Sequence, residues 1–367
     1  MTKSLEKIRL GIVGCGGVTQ LRHLPALRQT HGVEVVALAD VDAARLESVA
    51  AQFGVARRYH DYRELIEGGG VDALAVCVPP RLHTEVALAA LAAGKHAFIE
   101  KPLALTLEEC ELLRERAAGD GSLKVLVGFN LRWHRLAREA RECVRRGELG
   151  DIKLVRTVLT TRTRLGGDSD GWRGQREAGG GALFELGSHH FDLIRFLLPG
   201  KEFEEVSAPS AGRDDETLTL NARMSGGAQI VSAFSGGTGE NQELEIYGER
   251  GWLRVSFYRA DGLERFSTGQ YSGSPRSRLR KLGQTALALP GMVRQLRRGG
   301  DYVASYAAEW RHFADAILHD RPLESTLDDG RRALEIALAA LVASATGRAV
   351  KIGDEAGRMS KGKEAGV

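Results

Sequence analysis

The sequence predicts an α/β domain built on a doubly wound parallel sheet, followed by an α+β domain with an antiparallel sheet. Three observations carry this. Over the first 128 residues, short Val- and Ile-rich runs alternate with helical stretches. After "GFNLRWHR" the pattern changes to partly alternating segments punctuated by glycine. A glycine loop, Gly14-Cys15-Gly16-Gly17, marks the first strand-to-helix turn.

In order along the chain, "KIRLGIVG", "VEVVALAD", "VDALAVCVP", "KHAFIEK" and "LKVLVGF" are the strands. Their near-continuous apolar character indicates burial on both faces, as in a parallel sheet. "DAARLESVAAQFG" and "TEVALAALAAG" are helices between them, the second stopped by Gly94. Right-handed crossovers then give the doubly wound arrangement. Further on, "DIKLVRTVLTTRTR", "TLTLNARMSGGAQIVSAFSG" and "QELEIYGERGWLRVSFYR" read as hairpins with one wet face, hence an antiparallel sheet. Helices are expected at "SHHFDLIRFLL", "SYAAEWRHFADAILHD" and "LDDGRRALEIALAALVASATG". The domain limits are 1–128, 129–352 and a flexible polar tail at 353–367.

At 367 residues, 43% apolar and 27% charged, the chain has the size and composition of a two-domain globular protein. It holds no apolar run long enough to span a bilayer. The start, "MTKSLEKIRLGIVG", lacks the features of a secretory signal, so a cytoplasmic location is expected. Cys15, Cys77, Cys110 and Cys143 lie far apart and form no C-x-x-C pair, which argues against a zinc site or a disulfide framework. No metal is expected. The net charge of +3 is unevenly spread: between Glu264 and Asp301 there are eight basic residues and no acidic one, and without those eight the rest stands at −5. The basicity is local and does not indicate a nucleic-acid-binding protein.

The glycine loop suits a pyrophosphate. Glycine permits the tight turn and close approach of backbone amides, and the following helix N-terminus offers partial positive charge. Gly14, Gly16, Gly17 and Val18 are therefore cofactor-binding candidates. The G-x-G-x-x-G fingerprint is incomplete, since Thr19 replaces the third glycine. Asp40 ends the second strand, where a carboxylate accepts hydrogen bonds from ribose hydroxyls and repels a 2′-phosphate. That favours NAD, and Arg45 nearby leaves NADP open. The structural alternatives are a plain turn for the loop and a helix N-cap for Asp40.

At "FIEKPLALT" the chain resembles the Gfo/Idh/MocA oxidoreductases, the glucose–fructose oxidoreductase and inositol dehydrogenase group. Glu100-Lys101-Pro102 is similar to that family's EKP motif. "GIVGCGG", "VCVPPRLHTEVALAALAAGKH", "GWRGQREAGGGALFELGSHHFDLIRFL" and "YAAEWRHFADAIL" follow in the family's order. The resemblance implies a Rossmann domain and a second domain with a large, open, mostly antiparallel sheet. It implies a nicotinamide cofactor in a cleft, a ring-hydroxyl substrate from the sugars or inositols, and a homodimer or homotetramer.

The resemblance also implies site residues. Lys101 would orient a substrate hydroxyl and assist proton transfer. Glu185, where the family usually has aspartate, and His189 fall at i and i+4, on one face of a helix and one turn apart. His189 would take the proton while Glu185 orients it; the extra methylene leaves the carboxylate's role open. His190 is expected to pack or cap. Pro80, His83 and Glu100 are further cofactor candidates, His83 alternatively being a helix-start residue without contacts. Asn130, Arg132, Trp172 and Arg173 are substrate candidates. The basic stretch at about 265–300 looks like an insertion, an amphipathic helix broken near Pro290. It is a solvated loop, an oligomer contact, a segment that binds acidic lipid or partner surfaces, or a source of positive potential that admits a phosphorylated or nucleotide-linked sugar. Two rival functions remain beside a reversible dehydrogenase: a glycosidase working by transient oxidation on retained NAD, and a non-catalytic NAD sensor.

Overall fold

In a computed structural model, residues 7–165, 171–209, 216–271, 273–297 and 299–353 are described. The expected tail therefore lies outside the described residues, apart from Gly353. The chain forms two compact units, residues 1–133 with 302–331 and residues 134–301 with 332–367.

The first unit holds six strands: β1 (Ile8–Val13), β2 (Val33–Ala39), β3 (Arg57–Tyr59), β4 (Ala73–Val76), β5 (His96–Glu100) and β6 (Val125–Gly128). They pair in parallel in the order β3-β2-β1-β4-β5-β6. The connecting helices are α1 (Leu24–Leu27), α2 (Ala43–Phe53), α3 (Tyr62–Gly68), α4 (His83–Ala92) and α5 (Leu107–Ala118). Ile8, Leu10 and Ile12 on β1 and all of β4 are buried, as a sheet covered on both faces requires. The order reverses at β1/β4, where the sheet places its ligand-binding crevice at the strands' carboxyl ends. The glycine loop leaves β1 there.

The second unit begins with α6 (Arg135–Arg145) and β7 (Ile152–Thr160), then α7 (Ser188–Leu197) and β8 (Phe203–Ser207). Next come the strands β9 (Thr217–Met224), β10 (Gln229–Ser235), β11 (Asn241–Gly248), β12 (Gly251–Ser256) and β13 (Leu263–Ser267), followed by α8 (Pro275–Arg297). The helices α9 (Gly300–Leu318) and α10 (Leu327–Thr346) precede β14 (Val350–Lys351). Eight strands form one sheet, β13-β12-β11-β7-β10-β9-β8-β14. All neighbours are antiparallel except β7 and β10, which run parallel with Gln229 opposite Leu154. The strict alternation on β9, exposed then buried from Thr217 to Ala222, is what one wet and one dry face produce.

From Tyr302 onward α9 belongs to the first unit, although the sequence reading grouped it with the second domain. The cause is its aromatic face. Trp310 is fully buried and stacks on Phe98 of β5 with ring centroids 4.3 Å apart, and Phe313 meets both rings edge-on. Burying side chains of this size contributes roughly 2–3 kcal/mol each. A second difference concerns α8. It runs unbroken through Pro290 to Arg297, despite the backbone hydrogen bond that proline removes.

Candidate active site

The cofactor half grows from the end of β1. Gly14 takes φ +98°, and a Cβ there would lie 2.4 Å from the Cys77 carbonyl oxygen. Only glycine fits that crossing of β1 and β4. Gly16 and Gly17 differ, because a Cβ on either would meet nothing within 4 Å. They border open space at the start of a helical segment that runs from Gly17 to Leu27. Free amides at a helix start, with room beside them, fit the pyrophosphate of a dinucleotide. Val18, half-buried, lies in that first turn. Thr19, in place of the third glycine, is buried and its hydroxyl donates to the Gly14 carbonyl at 2.6 Å, closing the loop on itself.

Asp40 follows β2. Its carboxylate accepts from the Cys15 amide at 2.7 Å, from the Asp42 amide at 2.9 Å and from Arg45 at 2.9 and 3.1 Å. Burial opposes ionisation, but the Arg45 guanidinium and the two amides hold the carboxyl below the usual carboxylate range. The N-cap of α2 is Asp42, whose side chain accepts from the Arg45 amide, so Asp40 has no capping task. Arg45 is engaged with the carboxylate that would face the ribose.

At the end of β5, Glu100 is buried and accepts from His23 Nε2 at 2.8 Å and from the Lys101 amide at 3.1 Å. The Trp310 indole N–H donates to His23 Nδ1 at 3.1 Å, which fixes the tautomer that donates to Glu100. Burial works against the Glu100 charge, while the His23 contact and Lys101 hold its carboxyl below the ordinary value. This chain of contacts locks the backbone from which Lys101, half-buried, projects. Pro80 is buried at the start of a short 3-10 turn. His83 opens α4 and is buried. Its Nδ1 faces the Pro102 carbonyl oxygen at 2.7 Å and its Nε2 the Val78 carbonyl oxygen at 2.9 Å. Burial pushes its pKa below the usual histidine value.

Two substrate candidates are committed within the same unit. Arg132 is buried and paired with Asp329 at 2.8 Å, and it also donates to the Glu324 carbonyl. Asn130 is buried and donates to Ser305 at 3.3 Å.

In the second unit, Trp172 and Arg173 lie in a 3-10 turn, both half-buried, with the guanidinium 4.7 Å from the indole centroid. Gly180 packs against their carbonyls, and a Cβ there would approach them to 2.4 and 2.6 Å. From Leu183 to Gly187 the chain forms a π-helical turn that runs into α7. The Glu185–His189 pair thus straddles a π-to-α junction, where the plain α-helical spacing expected from sequence does not hold. Between Ala178 and Ile194 every residue is buried except Glu185 and His189. His190 is fully buried, edge-on to Phe234, with its Nε2 3.3 Å from Gln242 Nε2; burial pushes its pKa down to about 3. A second π-helical turn, Thr19–His23, follows the glycine loop. Neither turn has a signature in hydrophobic spacing.

Sequence reasoning missed His23 and Trp310. The available signal was Trp310 within the quoted "YAAEWRHFADAIL" and His23 a few residues after the quoted "GIVGCGG". Among the described residues no cluster of His, Cys, Asp and Glu is arranged to hold a metal, and all four cysteines are free and buried.

A family model described as "Oxidoreductase family, NAD-binding Rossmann fold" matches residues 8–129, and a GFO/IDH/MocA C-terminal domain model matches residues 137–254. An uncharacterized oxidoreductase of Synechocystis is 32% identical over 69% of this chain and 72% of its own length. The chain belongs to the Gfo/Idh/MocA oxidoreductase family. The chain is also similar to a 1,5-anhydro-D-fructose reductase of Ensifer adhaerens, 32% identical over 67% of this chain and 74% of that protein's length. A myo-inositol 2-dehydrogenase of Thermotoga maritima is 29% identical over 66% and 74%. The apo scyllo-inositol dehydrogenase of Lactobacillus casei shares the fold, with TM-score 0.74, 22% identity and coverage of 95% of this chain and 99% of the other. The Gfo/Idh/MocA chain described here is thus an oxidoreductase with an NAD-binding Rossmann domain.

Proposed function

We propose that this oxidoreductase moves a hydride reversibly between NAD and a ring hydroxyl or ketone of a sugar, an inositol or a related polyol. The observation that carries the reading is the partial exposure of Glu185 and His189, both half-buried within an otherwise buried segment. An imidazole and a carboxylate kept partly accessible at that one place suit proton transfer. The named activities of the Thermotoga and Ensifer relatives point to the same substrate class.

In this reading the pyrophosphate is held by the amides of Gly16, Gly17 and Val18, and the ribose hydroxyls by Asp40. NAD, when bound, supplies the hydride acceptor. The Lys101 ammonium donates a hydrogen bond to the substrate oxygen and stabilises charge there as the C–H bond is lost. His189 takes the hydroxyl proton and Glu185 orients it. Trp172 and Arg173 contact the ring. Because Arg45 is already bound to Asp40, NAD is preferred over NADP. His83, Pro80 and Glu100 shape the backbone on which NAD and Lys101 rest. The protein works in the cytoplasm as a homodimer or homotetramer assembled through the open sheet face. Among the described residues, no helix is long and apolar enough to cross a membrane.

The test is a panel of inositols, aldoses, aminosugars and nucleotide-sugars, assayed for NAD reduction with wild type and Lys101→Ala. The variant keeps NAD affinity and loses turnover by about 10²–10⁴-fold. Normal turnover by the variant sinks the assignment of Lys101. NAD that stays bound while a glycoside is cleaved favours the glycosidase reading. NAD binding with no turnover of any polyol favours the sensor.

A further inference from the structure

The helix α8 turns the wrong side outward for a helix that merely packs on its own protein. Ser274 caps it, accepting from the Ser277 amide at 3.2 Å, and Pro275 occupies its first turn. The face toward the second unit is polar. The Lys281 ammonium pairs with Glu264 of β13, the Thr285 hydroxyl donates to Asp261 at 2.8 Å, and Ser277, Lys281 and Thr285 are half-buried. These positions follow helical spacing, so they define the inner face. The leucines lie elsewhere: Leu279, Leu282 and Leu289 are 69%, 68% and 51% exposed, and Ala286 between them is exposed too. Their spacing of three, four and three residues aligns them as one stripe, and Leu287 beside it is 85% exposed. Burial of leucine is worth roughly 1.5–3 kcal/mol, so such a stripe stays exposed only where something else receives it.

Charge decides what that is. The helix carries five arginines and one lysine over 23 residues and no acidic residue. Two copies of α8 packed against each other would bring these like charges together, which disfavours a two-fold contact through this face. An anionic bilayer surface meets both features. Its headgroups attract the arginines, and its acyl boundary receives a leucine stripe lying in the plane. We infer that α8 is an interfacial helix that docks this enzyme on anionic membrane surfaces.

The experiment is co-sedimentation of the full chain with phosphatidylglycerol-containing vesicles and with pure phosphatidylcholine vesicles. Wild type sediments with the anionic vesicles, less so as salt is raised, and not with the neutral ones. Leu282→Ser with Leu289→Ser lowers the partition coefficient at least about tenfold, while NAD binding and circular dichroism are unchanged. Arg276→Glu with Arg278→Glu gives a comparable loss without touching the stripe. Absence of wild-type binding, or equal binding by the leucine variant, overturns the inference. So does an oligomer, seen by ultracentrifugation, that the leucine substitutions dissociate, because the occupant of the stripe is then a second copy.

Discussion

His83 holds Pro102: its Nδ1 lies 2.7 Å from the Pro102 carbonyl oxygen, one residue beyond Lys101. Its other nitrogen faces Val78, so one buried ring ties the loop after β4 to the turn after β5. A neutral imidazole donates one N–H, and the shorter contact to Pro102 is the bond we assign to it. His83→Ala leaves the buried Pro102 carbonyl without this donor, at a cost of roughly 1–3 kcal/mol in stability. Because the lost bond sits beside Lys101, turnover falls by about 10²-fold, and NAD affinity falls by less. His83→Gln, which retains a donor, recovers part of the turnover. A folded His83→Ala protein with unaltered turnover means that Lys101 is positioned by other contacts.

The two kinds of glycine in the loop separate folding from binding. Gly14→Ala forces a Cβ to within 2.4 Å of the Cys77 carbonyl oxygen at a positive φ, and it destabilises the first unit by about 1–3 kcal/mol or more. Gly16→Ala meets no protein atom within 4 Å and leaves the melting temperature unchanged. Its methyl occupies the space offered to the pyrophosphate, so NAD affinity drops about tenfold or more. Calorimetry and NADH fluorescence titration read the two effects separately. Undiminished affinity in Gly16→Ala removes the loop from the cofactor site.

Asp40 and Arg45 make a paired prediction. Asp40→Ala removes the ribose acceptor and releases Arg45 from its carboxylate. NAD binding weakens by ~1–3 kcal/mol, and the freed guanidinium improves binding of NADP relative to NAD. Titration with both cofactors checks it; unchanged NAD binding contradicts the ribose assignment.

The parallel sheet was legible because buried parallel strands are continuous apolar runs, and "VDALAVCVP" or "KHAFIEK" admits little else. The strand β3 was not, since Arg57, Arg58 and Tyr59 on a sheet edge carry no such run. The hairpins could be read from alternation and glycine turns. The parallel β7–β10 pair could not, because register between distant strands leaves no local pattern. In the candidate site, glycine, acid and lysine positions were visible as motifs. What held them was hidden. Trp310 reaches His23 across 287 residues of sequence, and the π-helical turns are matters of hydrogen-bond register that side-chain periodicity does not encode.

His190 supplies a pH prediction that leaves His189 untouched. Its ring is fully buried, and burial lowers its pKa to about 3, whereas the unfolded chain titrates near 6.5. Below about pH 6.5 the unfolded state therefore binds a proton that the folded state refuses. The stability tied to the neutral ring is complete above that pH and is lost as pH falls toward 3, by up to ~1.4 kcal/mol per pH unit. His190→Gln removes this term and keeps a polar partner for Gln242. Urea titrations of the second unit's transition, run at intervals from about pH 7 to pH 4, read the difference. Wild type loses ~3 kcal/mol relative to the variant across that range. A difference that stays constant with pH means that His190 takes up its proton in the folded state, which its packing against Phe234 and its burial argue against.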